Sequence, residues 1–97
     1  MNPFLSANFN PAQRDSMFYV YIIYAAKADR YYIGQTHDFN ERLKRHNSGY
    51  ESATSPYIPW ELKCLIEKPN RSAAVLLEKK LKNLNKQRVK DFIKKYK

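Results

Sequence analysis

Apolar positions follow two different periods along this chain, and the switches between them mark out its elements. From Phe18 to Tyr24, β-branched or aromatic residues occupy both alternating faces, Tyr19, Tyr21 and Ile23 against Val20, Ile22 and Tyr24. That pattern predicts a strand covered on both sides and therefore central in its sheet. The polar link Ala25 to Arg30 leads to a second strand candidate, Tyr31 to Gln35, and is short enough for a hairpin. Glu61 to Glu67 alternates, with Leu62, Cys64 and Ile66 on one face, which makes a third strand stopped by Pro69 and Asn70.

Between and after these strands the period becomes helical. Asp38 with Glu41 three residues on reads as an N-cap and capping box. In the helix it opens, Phe39 and Leu43 form the buried stripe, Arg42 and His46 lie half-buried on its margins, and Lys44 and Arg45 point outward. Ser72 is placed to cap a second helix carrying Ala73, Leu76, Leu77, Leu81 and Leu84, closed by Asn85. Val89, Phe92, Ile93 and Tyr96 define a third, whose other face is almost all lysine. Tyr50 to Trp60, with two prolines, is a loop long enough to contact a ligand. Residues 1–16 show no periodicity and read as a loose extension, so the compact domain is expected over 17–97.

Composition narrows the class. A chain of 97 residues holds one domain, for which a two-layer α/β (α+β) arrangement is feasible, and an apolar fraction of 43% is globular and not disordered. Eighteen basic against nine acidic residues leave a net charge of +9, which points to a polyanionic partner, nucleic acid before an anionic membrane. The longest apolar run, Phe18 to Ala26, falls far short of the roughly 20 residues that span a bilayer, so no membrane insertion is expected. The single cysteine, Cys64, cannot form an internal disulfide, and a cytoplasmic setting follows as the default.

Candidate chemistry gathers around the hairpin and the first helix. Tyr21 and Tyr32 lie on adjacent strands beside Gly34, where a missing side chain lets another group approach the backbone. Most strand tyrosines are structural, but a phenol whose pKa is lowered by neighbouring cations could deprotonate a water. Arg42 offers a planar guanidinium to phosphate oxygens, and His46, one turn on, could donate or carry a proton. Glu78 sits at the border of an apolar helix face. Its ordinary role would be an i,i+4 ion pair with Lys82, and its functional one to hold a hard cation such as Mg²⁺.

Taken in order, Tyr19-Val20-Tyr21, Tyr32-Ile33-Gly34, Asn40-Glu41-Arg42-Leu43 with His46-Asn47, and Arg71-Ser72-Ala73 leading to Glu78 resemble the GIY-YIG nuclease superfamily. The likeness is to small stand-alone bacterial members related to the nuclease domain of the excision-repair protein UvrC. It implies a three-stranded antiparallel sheet flanked by helices and a DNA endonuclease, with branched or damaged DNA among its substrates and DNA repair among its settings. It also implies a site of Tyr21, Tyr32, Arg42 and His46, with Glu78 holding Mg²⁺ or Mn²⁺. The first motif departs from Gly-Ile-Tyr but keeps its tyrosine. Asn83 and Asn85 follow Glu78 at a shorter interval than the asparagine used by several such nucleases, and that role is not carried over to them. Lys44, Arg45, Lys86, Lys90 and Lys94 are the candidate phosphate-backbone contacts. The rival readings are a nucleic-acid-binding module without useful turnover and a small interaction protein docking through the loop Tyr50 to Trp60.

Overall fold

A computed structural model describes residues 17–96; the expected extension at 1–16 lies outside the described residues. The strands are β1 (Phe18–Ala25), β2 (Arg30–Thr36) and β3 (Glu61–Lys68). The α-helices are α1 (Phe39–Asn47), α2 (Arg71–Lys82) and α3 (Lys86–Tyr96). The sheet order is β2-β1-β3 and both pairings are antiparallel. As its two apolar faces require, β1 is central, and Val20, Tyr21, Ile22 and Ile23 are all fully buried.

Each face of the sheet carries its own core. Val20, Ile22, Ile33, Cys64 and Ile66 pack with Ala74 and Leu81 of α2 and Val89 of α3. On the opposite face Tyr21, Ile23, Ala25 and Trp60 gather Tyr32, Phe39, Leu43, Tyr57 and Ile58. The register sets this division, since cross-strand partners share a face: Tyr21 is opposite Gly34, and Ile23 opposite Tyr32. Thus α1 and the loop after it cover one side of β1 and β2, while α2 and α3 cover the other.

Several local expectations are corrected. A register shift between Ile22 and Ile23 pairs Ile23 with Leu62 while Ile22 pairs with Cys64. This bulge takes Leu62 out of phase with Cys64 and Ile66 and leaves it 40% exposed. Leu76 is 68% exposed and contributes nothing to the core; Ala74 is buried in the place expected of it. Asn70, not Ser72, caps α2, its side chain accepting from Ala73 N at 2.9 Å. Asn83 closes α2, whereas Asn85 caps the next helix by accepting from Arg88 N at 2.9 Å. Asp38 caps α1 as expected, but the Asp38 N–H is taken by the Thr36 hydroxyl at 3.1 Å instead of by Glu41.

Candidate active site

Gly34 explains how Tyr21 is placed. The Tyr21 ring lies across its β2 partner, and a Cβ built at Gly34 would come within 2.6 Å of Tyr21 Cζ. The close approach expected at this glycine is therefore made by Tyr21 itself. With the ring laid flat over β2, the hydroxyl reaches the outer edge of the sheet. There it meets α1, whose His46 Nε2 is 2.9 Å away.

His46 is not at a half-exposed margin: it is 1% exposed. Its other nitrogen, Nδ1, lies 2.9 Å from the hydroxyl of Thr54, also buried, which donates in turn to the Glu51 carbonyl at 3.4 Å. A hydroxyl that spends its proton on Glu51 is left to accept from His46, so Nδ1 carries the imidazole proton and Nε2 accepts from Tyr21. The direction of the chain is thus Tyr21 to His46 to Thr54 to Glu51. Thr54 had no signal in the sequence beyond its place in a loop, because a hydroxyl in such a segment is ordinarily solvated. What fixes it is Trp60, whose indole donates to the Thr54 carbonyl at 2.9 Å and whose backbone is held on both sides by the Asn47 side chain. The loop expected between Tyr50 and Trp60 is consequently a pinned segment with a short 3-10 turn, Ser55–Tyr57. Trp60 is buried within it, and Tyr50 is left as its large exposed aromatic.

Burial pushes the Tyr21 phenol well above its ordinary value of 10.0; Tyr32 adds to the rise, and the Arg42 guanidinium beside the hydroxyl opposes it. The expectation of a cation-lowered phenol fails because desolvation outweighs Arg42. Burial also holds His46 below its ordinary 6.5; Glu51 opposes this, and Arg42 and Arg45 reinforce it. The ground state is therefore a neutral phenol donating to a neutral imidazole. Tyr32 packs edge-on to His46, with ring centroids 5.0 Å apart, and edge-on to Trp60 at 6.2 Å. It also stacks on the Tyr21 ring at 6.4 Å, so the three rings form one cluster that fixes the imidazole plane.

Glu78 arrives from the other layer. Its helix, α2, packs on the face opposite Tyr21, yet Glu78 lies close enough to be among the charges acting on the Tyr21 phenol. Tyr21, Arg42 and His46 thus meet on the α1 side of the sheet, and Glu78 acts on the Tyr21 phenol from the α2 side. The ordinary role of Glu78 is also realised: Lys82 Nζ is 3.0 Å from its carboxylate, and the side chains are 18% and 52% exposed for Glu78 and Lys82. A pair with one partner so open contributes about 0.3–0.5 kcal/mol and is readily exchanged.

Among the described residues no group of three or more His, Cys, Asp or Glu is arranged to hold a metal. A hard cation that keeps most of its waters needs only one or two carboxylate oxygens, and Glu78 is the carboxylate among the groups acting on Tyr21. The candidate phosphate contacts are unequal. Arg45 is paired with Glu51 at 3.3 Å and Lys86 with Asp29 at 2.8 Å, while Lys44, Lys90 and Lys94 are exposed without an ion pair among the described residues. Asn85 is occupied as the cap of α3.

The family model described as the GIY-YIG catalytic domain matches residues 17–97. The chain belongs to the GIY-YIG family. It is similar to a structure-specific endonuclease subunit SLX1 homologue from Brugia malayi, with 33% identity over 88 residues. That match covers 80% of this chain and 26% of the relative, so the chain spans about a quarter of the relative's length. Its fold is similar to that of a UPF0213 protein from Bacillus halodurans solved by NMR in solution. Here the TM-score is 0.53 and the identity 28%, over 80% of this chain and 83% of the other. Divalent-metal dependence is general among GIY-YIG nucleases. No helix among the described residues is long and apolar enough to cross a membrane.

Proposed function

We propose that this chain is an endonuclease that hydrolyses DNA phosphodiester bonds with a divalent metal, Mg²⁺ or Mn²⁺, held by Glu78. The observation that carries the reading is the buried Tyr21–His46 hydrogen bond with Arg42 and Glu78 beside it. Tyr21 has lone pairs left over once its proton is given to His46 Nε2. The Tyr21 oxygen takes a proton from the attacking water as its own passes to His46, and no free phenolate has to accumulate in a buried site. This gives the proton-accepting role to Tyr21 and leaves Tyr32 to hold the imidazole in place. Arg42 offers its guanidinium to the phosphate oxygens where negative charge grows. The cation, when bound, would supply Lewis-acid stabilisation of that same charge.

The SLX1 homologue is named as part of a structure-specific endonuclease, and branched or damaged DNA met in repair is the substrate class proposed here. Lys44, Lys90 and Lys94 would follow the phosphate backbone, and a cytoplasmic setting, argued from the lone cysteine, belongs to the same proposal. Incubation with plasmid, branched and single-stranded DNA in Mg²⁺ or Mn²⁺ tests it. Cleavage should vanish with chelator and in Glu78→Ala; products that persist in Glu78→Ala would remove the carboxylate from the mechanism.

A further inference from the structure

Beyond the catalytic residues, the end of β2 opens into a recess of about 370 Å³ lined by Phe18, Gln35, Thr36, His37, Arg42 and Arg71. Its walls come from both sides of the sheet. Gln35 pairs with Val20 and so shares the α2 face, Arg71 opens α2, and Arg42 stands on α1. A larger recess of about 510 Å³, below the other end of β2, contains Tyr32 but none of Tyr21, Arg42, His46 and Glu78. The smaller recess is the one joined to the proposed chemistry, through Arg42.

Three features of that recess point to one kind of ligand. Arg42 and Arg71 both face it, and among the described residues neither is in an ion pair, whereas Arg45, Lys63, Lys82 and Lys86 are. Two unneutralised guanidiniums around one recess favour an anion with several oxygens. The Arg71 guanidinium carbon lies 5.8 Å from the Phe18 ring centroid, and the exposed His37 ring lies 6.1 Å from the same centroid. Planar groups of this kind are the platforms on which nucleobases stack. Gln35 adds hydrogen-bonding capacity that the fold does not use, because its buried side-chain oxygen has no partner among the described residues. A volume of about 370 Å³ is within the range of small-ligand sites, and a base pair with its two backbones does not enter it.

We infer that the recess bounded by Gln35, His37, Arg42 and Arg71 receives one unpaired nucleotide next to the scissile phosphate, so that the site selects single-stranded or flapped DNA over a continuous duplex. The base stacks on His37 and the Arg71 plane, the Gln35 amide bonds to its edge, the Arg71 donors hold the unpaired nucleotide's own phosphate, and Arg42 keeps the scissile one. This inference rests on the nuclease reading for the identity of the strand, but its test does not require cleavage.

The measurement is fluorescence anisotropy in chelator, so that turnover plays no part, with three labelled probes: a single strand, a blunt duplex, and a duplex carrying a short unpaired flap. His37→Ala and Arg71→Ala alter exposed residues outside the proposed catalytic set, and Arg71→Lys keeps the charge while removing the plane. Loss of one stacking partner is worth about 1–3 kcal/mol, so each alanine variant should weaken single-strand and flap binding by about 5- to 150-fold. Blunt-duplex binding should hold within about twofold of wild type, and Arg71→Lys should recover only part of the loss. Equal weakening on all three probes, or full recovery in Arg71→Lys, would reduce Arg71 to a general phosphate contact and overturn the inference. Unchanged single-strand binding in both alanine variants would overturn it as well. Failure of the nuclease reading has a different signature: no cleavage of any substrate in metal while the selective binding and its loss in the variants remain.

Discussion

The Tyr21 hydroxyl donates to His46 Nε2 at 2.9 Å between two buried side chains. Removing that one oxygen leaves the ring across Gly34 and both cores in place. Tyr21→Phe should therefore fold normally and bind DNA as wild type does, while single-turnover cleavage falls by about 10²–10⁴, the scale of a lost general-base step. A variant that cleaves at the wild-type rate would transfer the role to Tyr32.

Arg42 is half-buried beside the same hydroxyl. Arg42→Ala should lower the cleavage rate by about 10²–10³, the scale of one preorganised charge donor, with little change in unfolding midpoint. Arg42→Lys should not restore it, since an ammonium lacks the two parallel donors of the guanidinium. Rates from single-turnover kinetics, set beside melting curves, check both statements.

Burial holds His46 below 6.5, and the charged and titratable groups facing it are Tyr21, Tyr32, Arg42, Arg45 and Glu51. A histidine whose folded pKa is depressed binds its proton more weakly folded than unfolded. Its contribution to stability is complete above about pH 6.5 and is lost as the pH falls from there through the folded value. Cleavage should follow the same sign, because only the neutral imidazole accepts the Tyr21 proton, with the acid limb centred below 6.5. Melting temperature recorded against pH should drop through this window in wild type and be flatter there in His46→Gln.

Gly34 has no room for a side chain. Gly34→Ala should cost about 1–3 kcal/mol in urea denaturation, the range for overpacking a filled core, and should also depress cleavage by tilting Tyr21. In a background of Tyr21→Ala the same change should cost much less, and a double-mutant cycle reads the difference.

The α3 lysines give a salt-dependent prediction. Lys90→Gln with Lys94→Gln should flatten the slope of log K against log salt by up to about 2 units on duplex DNA. Lys86→Gln should add less, being already engaged by Asp29. Coincident slopes for the wild type and the double variant would place the duplex on the Lys44 side of α1.

The strands and helices were legible because β1 is apolar on both faces and α3 repeats its apolar positions at helical spacing; those periods are consequences of burial and survive in one dimension. The β3 bulge was not legible. One extra residue changes which face Leu62 takes, and nothing local to β3 records that Ile22 and Ile23 face different partners. Asn70 and Ser72 are both good caps, and only the backbone conformation chose between them. In the site, Tyr21, Tyr32, Arg42, His46 and Glu78 could be named from motif order. The depth of His46 could not, because it is set by Thr54 and Trp60 in a segment without periodicity. The phenol ionisation was misjudged for a related reason: sequence shows which cations are near but not how dry the site is.

Because Glu78 rests on the α2 side of the sheet while Tyr21 and His46 belong to the α1 side, the site lies on the seam between two separately packed halves. Loosening of either half would part the carboxylate from the phenol. Warming should then silence the protein before far-ultraviolet circular dichroism changes, and amide exchange near Glu78 should quicken while the amides of β1 are still protected. The seam makes activity a report on the weaker half of the fold.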